Sequence, residues 1–394
     1  MIMDKNIKGY LRNDGKVGIR NHVLIIPSVL CSKKVAEKIA YSTPGCVVAS
    51  HNQGCAQLCD DYYQTRRTIL NTSLNPNVAS VLIIGLGCER VSPYELKDEI
   101  NHTGKRAELI MIQDMGTQEA INQGMKIAKD LVIEANKIER EDVPISSLVL
   151  GVECGGSDFS SGLSANPVVG QVSDKVWKKG GRIILSETTE LVGAEHLLFE
   201  RMEDNKMKET FEGMLQRMIN ESVNNSRDVV DKENIPNNIS PGNVRGGLTT
   251  LEEKSLGAMI KGGKVPIVGV KEYSEFVDNK AGLYLMDTPG YDVESVTGMV
   301  AGGATIILFT TGQGTPTGNP IAPVIKVTAN SNTAKKMKVN IDFDSSKVIS
   351  GEMTLEECGI KLYKEMLQIA NGKLTKAEEH LQDDYSIWNV GIKL

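Results

Sequence analysis

The feature that most constrains this chain is a recurring pair: a short apolar run, then a stretch with helical spacing. Runs at His22–Pro27, Cys46–Ser50, Ser80–Ile84, Glu108–Ile112, Ser147–Gly151 and Arg182–Leu185 read as buried strands. Ser32–Ala40, Tyr62–Asn71, Pro93–Ile100, Gln118–Asn136 and Val168–Lys179 read as helices. In the helix from Gln118, the residues Ile121, Met125, Ala128, Val132 and Ala135 share one face. Parallel neighbours need a crossover, and crossover helices bury the sheet between them. The alternation therefore predicts an α/β fold with a parallel sheet covered on both faces.

After Leu191 the strands stop. "ELVGAEHLLFE" and Met207–Val223 read as helices, and "NNSRDVVDKENIPNNISPGN" reads as a polar linker. A second α/β pattern begins at Thr249. Its strands are Pro266–Val270, Gly282–Met286, Thr305–Thr310, Val324–Thr328 and Lys338–Ile341, with helices at Ser295–Ala301 and Leu355–Ala370. The expectation is two parallel-sheet α/β units, residues 1–190 and 249–394, joined by a helical segment and linker, 191–248.

Composition narrows the class. The 394 residues suffice for more than one core. A net charge of −6 gives no basic face for nucleic acid. "MIMDKNIKGYLRNDG" lacks the apolar core of a signal peptide, and "VLIIPSVL" is too short to cross a bilayer. A cytoplasmic protein without a membrane partner is expected, in which the seven cysteines are reduced thiols available to metals or catalysis.

Three polar, glycine-bearing turns follow strands: "SHNQGCAQ", "GLGCE" and "GVECGGSD". Each places one cysteine, Cys55, Cys88 or Cys154, just beyond a strand's carboxyl end. In an open parallel sheet those ends form one edge, where ligands bind. The three thiols are expected to meet there, as metal ligands or as lining of the pocket. Thiolate and imidazole donors favour Fe(II) or Zn. His51, which opens a turn, is a candidate ligand or base; Glu153 and His196 are further candidate bases. Gln53, Ser157, Asp158 and Asn166 offer hydrogen bonds to substrate hydroxyls. "FTTGQGTPTGNPIAP" sets Thr315 and Thr317 in a turn suited to an anion. Arg245 and Lys254 flank a capped helix start and suit a carboxylate. "MDTPGYD" is similar to the Mg²⁺-binding strand end of GTPases, but no G-x-x-x-x-G-K-[ST] occurs and the nucleotide reading fails.

Taken in order, "GYLRNDGKVGIRN", "SHNQGCAQ", "GLGCE", "GVECGGSDFSSGLSANP", "SETTELVGAEHLL", "SPGNVRGGLTTLEEKSLGA" and "LFTTGQGTPTGNPIAPVIKVTANSNT" resemble the altronate/galactarate dehydratase family, from Gly9 to Asp342. The resemblance implies a lyase that removes water from a sugar acid to give a 2-keto-3-deoxy sugar acid. It also implies a need for Fe(II) or another divalent metal; the residues themselves leave an iron–sulfur cluster on the three thiols as the alternative. A related branch eliminates sulfite from sulfolactate, and a non-catalytic sugar-acid or metal-binding protein is the reading outside enzymes. Single-chain members carry a further domain before this region. The chain is thus expected to be a separate large subunit in an oligomer, with a small partner of about a hundred residues, an ordinary domain size.

Overall fold

The computed structural model describes residues 6–225, 239–391 and 393. The chain opens with strand β1 (Asn6–Leu11), paired antiparallel with β2 (Val17–Gly18). Next comes a four-stranded parallel sheet of β3 (His22–Pro27), β4 (Cys46–Val48), β5 (Val78–Gly85) and β6 (Ala107–Met111), in the order β4-β3-β5-β6. Strand β7 (Glu141–Pro144) returns to pair with β1 and closes this part of the chain.

Both faces of the four-stranded sheet are covered, so its strands read as continuous apolar runs. Val23, Ile25, Leu82 and Ile84 pack under Ile39 of the helix Lys33–Tyr41 and under Ala120, Ala128 and Leu131 of the helix Thr117–Ala135. On the other face, Leu24, Ile26, Val81 and Ile83 share one core with Met299, Ile307 and Phe309 from the second half of the chain.

The second sheet has seven parallel strands: β8 (Val149–Cys154), β9 (Arg182–Leu185), β10 (Ile267–Lys271), β11 (Gly282–Met286), β12 (Ile306–Thr310), β13 (Val324–Thr328) and β14 (Phe343–Asp344). Their order is β10-β11-β9-β8-β12-β13-β14, so β8, buried along its whole length, lies at the centre.

The α/β class holds, but the expected division does not. Strands β8 and β9 lie before residue 190, yet β8 pairs with β12 and β9 with β11. One sheet therefore takes strands from both expected units. The segment between them is no bridge either, since Leu198, Phe211, Met214 and Leu215 lie in the core of the larger sheet. The strand expected at Lys338–Ile341 forms instead at Phe343–Asp344. Residues 226–238 of the expected linker lie outside the described residues.

Candidate active site

Glu153 and Cys154 are the last two residues of β8. The chain leaves β8 for β9 on one side and later reaches β12 on the other. Such a change of direction opens a crevice beyond the carboxyl ends of the strands. Strand β9 feeds the turn Ser186–Glu190, in which Glu187 adopts a left-handed conformation (φ 66°, ψ 66°). A non-glycine residue there costs about 1–3 kcal/mol and persists only where neighbours enforce it. Here the Glu187 N–H donates to Thr288 Oγ1 at 2.7 Å, and the Thr188 N–H donates to the Thr288 carbonyl at 3.1 Å.

That turn delivers carboxylates to the end of β8. Glu187 Oε2 accepts from Lys261 Nζ at 2.9 Å and from the Cys154 N–H at 3.0 Å. Cys154 Sγ donates to Glu190 Oε2 at 3.0 Å, and the other Glu190 oxygen pairs with the Lys254 ammonium. Glu153 Oε2 accepts from Ser186 Oγ at 2.7 Å and from Ser295 Oγ at 2.8 Å. Asp292, at the start of the helix Asp292–Ala301, completes the group from β11's side of the sheet. Gly155 makes room for it, because a Cβ there would stand 2.2 Å from Asp292 Oδ2.

The charges do not balance. Four carboxyl groups and a thiol face two ammonium groups, all in a low-dielectric interior. Burial, then the Glu187 charge, pushes Glu153 well above the usual carboxylate range. Burial followed by Glu187 and Glu190 raises Asp292 to about 7. Burial and the same two carboxylates push the Cys154 thiol up. Burial and Glu187 also raise Glu190. Glu187 goes the other way: burial opposes its charge, but Lys261 and Lys254 outweigh that and hold it low. Near neutral pH the cluster thus stores protons that a cation would displace.

The donor set fits a cation. Ligand atoms of Glu153, Glu187 and Asp292 all lie within 4.8 Å of one another, as do those of Cys154, Glu187 and Glu190. Glu153 Oε1 and Glu187 Oε1 are buried and have no hydrogen-bond partner. A buried carboxylate oxygen left unsatisfied is costly unless something else meets it. Three carboxylates with one thiol at the margin suit a divalent ion of Fe(II) or Mn(II) type better than a thiolate-rich zinc site.

A cavity of about 250 Å³ is lined by Ser157, Asp158, Asn166 and Lys254 among others, and it reaches the cluster through Lys254. Four expected substrate-binding residues therefore do converge, and Lys254 links the cavity to Glu190. Asp158 is largely committed to its own turn, accepting from the Ser160 N–H and hydroxyl and from Asn330 Nδ2 at 2.9 Å. The Asn166 side chain accepts from Thr310 Oγ1 and donates to the Gly257 carbonyl. Arg245 is exposed beside this wall. Thr315 and Thr317 bond to each other at 2.7 Å and do not line the cavity.

Other expectations are corrected. Cys55 and Cys88 stand at the rim of the four-stranded sheet, exposed, while Cys154 is buried in the seven-stranded one. Among the described residues, no group of three donors within 4.8 Å includes Cys55 or Cys88, so the three expected thiols do not form one such donor group. The turns repeat one topological position, but in two sheets. His51 is buried, with Nε2 at 2.7 Å from the Pro27 carbonyl and Nδ1 accepting from the Gln53 N–H. Burial pushes its pKa down to about 4, and both ring nitrogens are already engaged within the fold. Gln53 is buried beside it and donates to the Ile387 carbonyl. His196 is exposed on the short helix Glu195–Phe199 and belongs to no close donor group among the described residues.

Sequence reasoning missed Glu187, Glu190, Lys261 and Asp292. The signal for Asp292 was present in "MDTPGYD", a polar turn after a strand, once the nucleotide reading had failed. Glu187 and Glu190 lie in "SETTE", which follows β9 as "GVECGG" follows β8.

A parallel α/β protein with a cation-suited carboxylate cluster at a sheet's switch point belongs to the class in which such edges carry enzymatic sites. Comparison with known proteins defines it further. Residues 145–393 match the C-terminal domain of D-galactarate/altronate dehydratases, and residues 9–136 match the second domain of D-galactarate dehydratase/altronate hydrolase. The chain belongs to this family. It is 38% identical to the (2R)-sulfolactate sulfo-lyase subunit beta of Chromohalobacter salexigens, covering 94% of each chain. It is 35% identical to the altronate dehydratase of Escherichia coli over 99% of this chain and 79% of that protein. With the galactarate dehydratase (L-threo-forming) of the same organism it shares 35% identity over 93% of this chain and 73% of the relative. These relatives are carbon–oxygen or carbon–sulfur lyases, and the chain is an altronate dehydratase-like lyase. The family boundary near residue 140 agrees with the sheets and not with the expected break at 190. Among the described residues, no helix is long and apolar enough to cross a membrane.

Proposed function

We propose that this chain is the large subunit of a metal-dependent hydro-lyase that removes water from a sugar acid and yields a 2-keto-3-deoxy acid. The observation that carries the reading is the pair of unpartnered buried oxygens, Glu153 Oε1 and Glu187 Oε1, in a carboxylate cluster of a lyase family. Glu153, Glu187 and Asp292 would hold the ion, with Cys154 and Glu190 beside it. A divalent cation bound there supplies Lewis-acid stabilisation of the negative charge that develops on the substrate as the C2 proton leaves.

The chain's own groups do the rest. Lys254 draws the substrate carboxylate into the cavity. Glu190, which lies beside the ion's ligands and whose charge is disfavoured by burial and by Glu187, is the carboxylate left to move the proton. It takes the C2 proton, the C2–H electron pair becomes the C2–C3 double bond, and the C3–O bond breaks. The proton leaves with the departing hydroxyl as water, and the enol rearranges to the keto acid. Lys261 keeps Glu187 charged throughout.

A second reading is favoured by similarity. The sulfo-lyase subunit is 38% identical over 94% of each chain, against 35% for the E. coli altronate dehydratase. That relative is named as a subunit beta, which supports a multi-subunit arrangement and leaves sulfolactate, with sulfite as leaving group, as the rival substrate. The test combines the chain, its small subunit and Fe(II) with altronate, galactarate and sulfolactate in turn. Keto acid from a sugar acid is expected. Sulfite release from sulfolactate alone would establish the rival, and tight binding without turnover would overturn the enzymatic reading.

A further inference from the structure

The turn that follows β11 gives the site more than Asp292. Thr288 lies in it and is fully buried, as are Ser295, Glu153 and Glu187 around it. Its hydroxyl stands between two of the carboxylates. Thr288 Oγ1 accepts the Glu187 N–H at 2.7 Å and lies 3.0 Å from Ser295 Oγ. Ser295 Oγ in turn donates to Glu153 Oε2 at 2.8 Å.

The proton positions follow from counting donors. A hydroxyl has one hydrogen to give. Ser295 gives its hydrogen to Glu153, so between Thr288 and Ser295 the threonine is the donor. The bonds then run one way, from the Glu187 N–H through Thr288 and Ser295 to Glu153 Oε2. That oxygen also accepts from Ser186 Oγ at 2.7 Å, which leaves Glu153 Oε1 without a partner. On Glu187 the outcome is the same: Oε2 takes Lys261 and the Cys154 N–H, and Oε1 is left over.

The same turn is laced to the one bearing Glu187. The Thr188 N–H donates to the Thr288 carbonyl at 3.1 Å, and the Thr288 N–H donates to Thr188 Oγ1 at 3.3 Å. Thr188 Oγ1 donates to Asp287 Oδ1 at 2.6 Å, and Arg217 holds the other Asp287 oxygen at 2.6 Å. Ser295 sits one helical turn beyond Asp292. Thr288 thus joins the three elements that carry Glu153, Glu187 and Asp292: the end of β8, the turn after β9 and the helix Asp292–Ala301.

We propose that Thr288 and Ser295 are positioning residues whose hydroxyl relay sets Glu153 and Glu187 so that one oxygen of each is left for a shared cation. The inference rests on the reading of the carboxylate cluster as a cation site. Neither hydroxyl is itself a ligand. The left-handed backbone of Glu187 makes such support necessary, because that conformation lasts only where neighbours enforce it.

The test is Mn(II) titration of the full chain by electron paramagnetic resonance, beside urea unfolding of the metal-free protein. Thr288→Val keeps the side-chain shape and deletes the hydroxyl, and Ser295→Ala deletes the donor to Glu153. Each should weaken Mn(II) binding by about 10- to 100-fold, the scale of losing a group that orients a ligand. Thr288→Ser, which keeps the hydroxyl, should bind like the wild type. If T288V fails to fold, S295A and T288S decide the matter. The double variant T288V/S295A should lose less than the product of the two single losses, because both act on one chain of bonds. Thr65→Val removes a fully buried hydroxyl that accepts from Gln57 Nε2 at 2.9 Å, in the half of the chain that carries the four-stranded sheet. It should lower the urea midpoint and leave Mn(II) affinity unchanged. Wild-type affinity in T288V and S295A overturns the relay while the cation site stands, and so does T288S binding as weakly as T288V. Losses that multiply in the double variant, or an equal loss in T65V, also overturn it. A wild-type chain that binds no Mn(II) overturns the cation reading, and the inference with it.

Discussion

Glu187 and Lys261 form an ion pair at 2.9 Å in which neither side chain reaches solvent. The pair is not an end in itself. One Glu187 oxygen meets the lysine, the other has no hydrogen-bond partner, and the carboxylate shares a donor group with Glu153 and Asp292. A buried ion pair rarely stabilises a fold relative to apolar residues of the same shape, but removing one partner is costly. Lys261→Met should therefore destabilise the protein by about 3–5 kcal/mol, read as a lower urea midpoint, by stranding the Glu187 charge. Glu187→Gln combined with K261M should be less destabilised than K261M alone.

Asp292 should impose a pH dependence on the metal-free protein. Its folded pKa, about 7, lies above its ordinary value of 3.8, so the folded state binds the extra proton between these limits. Its contribution to stability is full below pH 3.8 and is lost as pH rises through about 7. Thermal unfolding of chelator-treated protein should show this slope, and Asp292→Asn should flatten it. An unchanged slope would remove Asp292 from the proton-storing cluster.

His51 should act with the opposite sign. Its folded pKa of about 4 lies below its ordinary 6.5, so its contribution is present above pH 6.5 and lost as pH falls through about 4. His22, also lowered to about 4 by burial, adds to the same trend. Histidine NMR titrations should show both rings neutral in the folded protein at pH 6.

Cys154 and Glu187 should separate in metal retention. Glu187 carries an unpartnered oxygen, whereas Cys154 donates to Glu190 at the margin. Glu187→Gln should weaken divalent-ion affinity more than about 100-fold, and Cys154→Ser by about 10-fold, as for residues that support a ligand. Equal losses would make the thiol a full ligand.

The apolar runs made the strands legible, because a sheet covered on both faces leaves little room for alternation. Which strands share a sheet was not legible. Pairing of β8 with β12 joins residues far apart in sequence, and no local pattern records it. Glu153 and Cys154 stood out because glycines and serines follow them. Glu187 and Asp292 did not, since a carboxylate in a polar turn resembles any solvated acid until folding buries it. The cysteines show the converse: Cys55, Cys88 and Cys154 repeat one topological position, and only the division into two sheets separates them.

The most direct measurement of the central claim is a Mn(II) titration followed by electron paramagnetic resonance, because that ion prefers carboxylate to thiolate donors. The wild-type chain should bind one ion, lost in Glu153→Gln, Glu187→Gln and Asp292→Asn and kept in C55S and C88S. Undiminished binding in all three carboxylate variants would contradict the account.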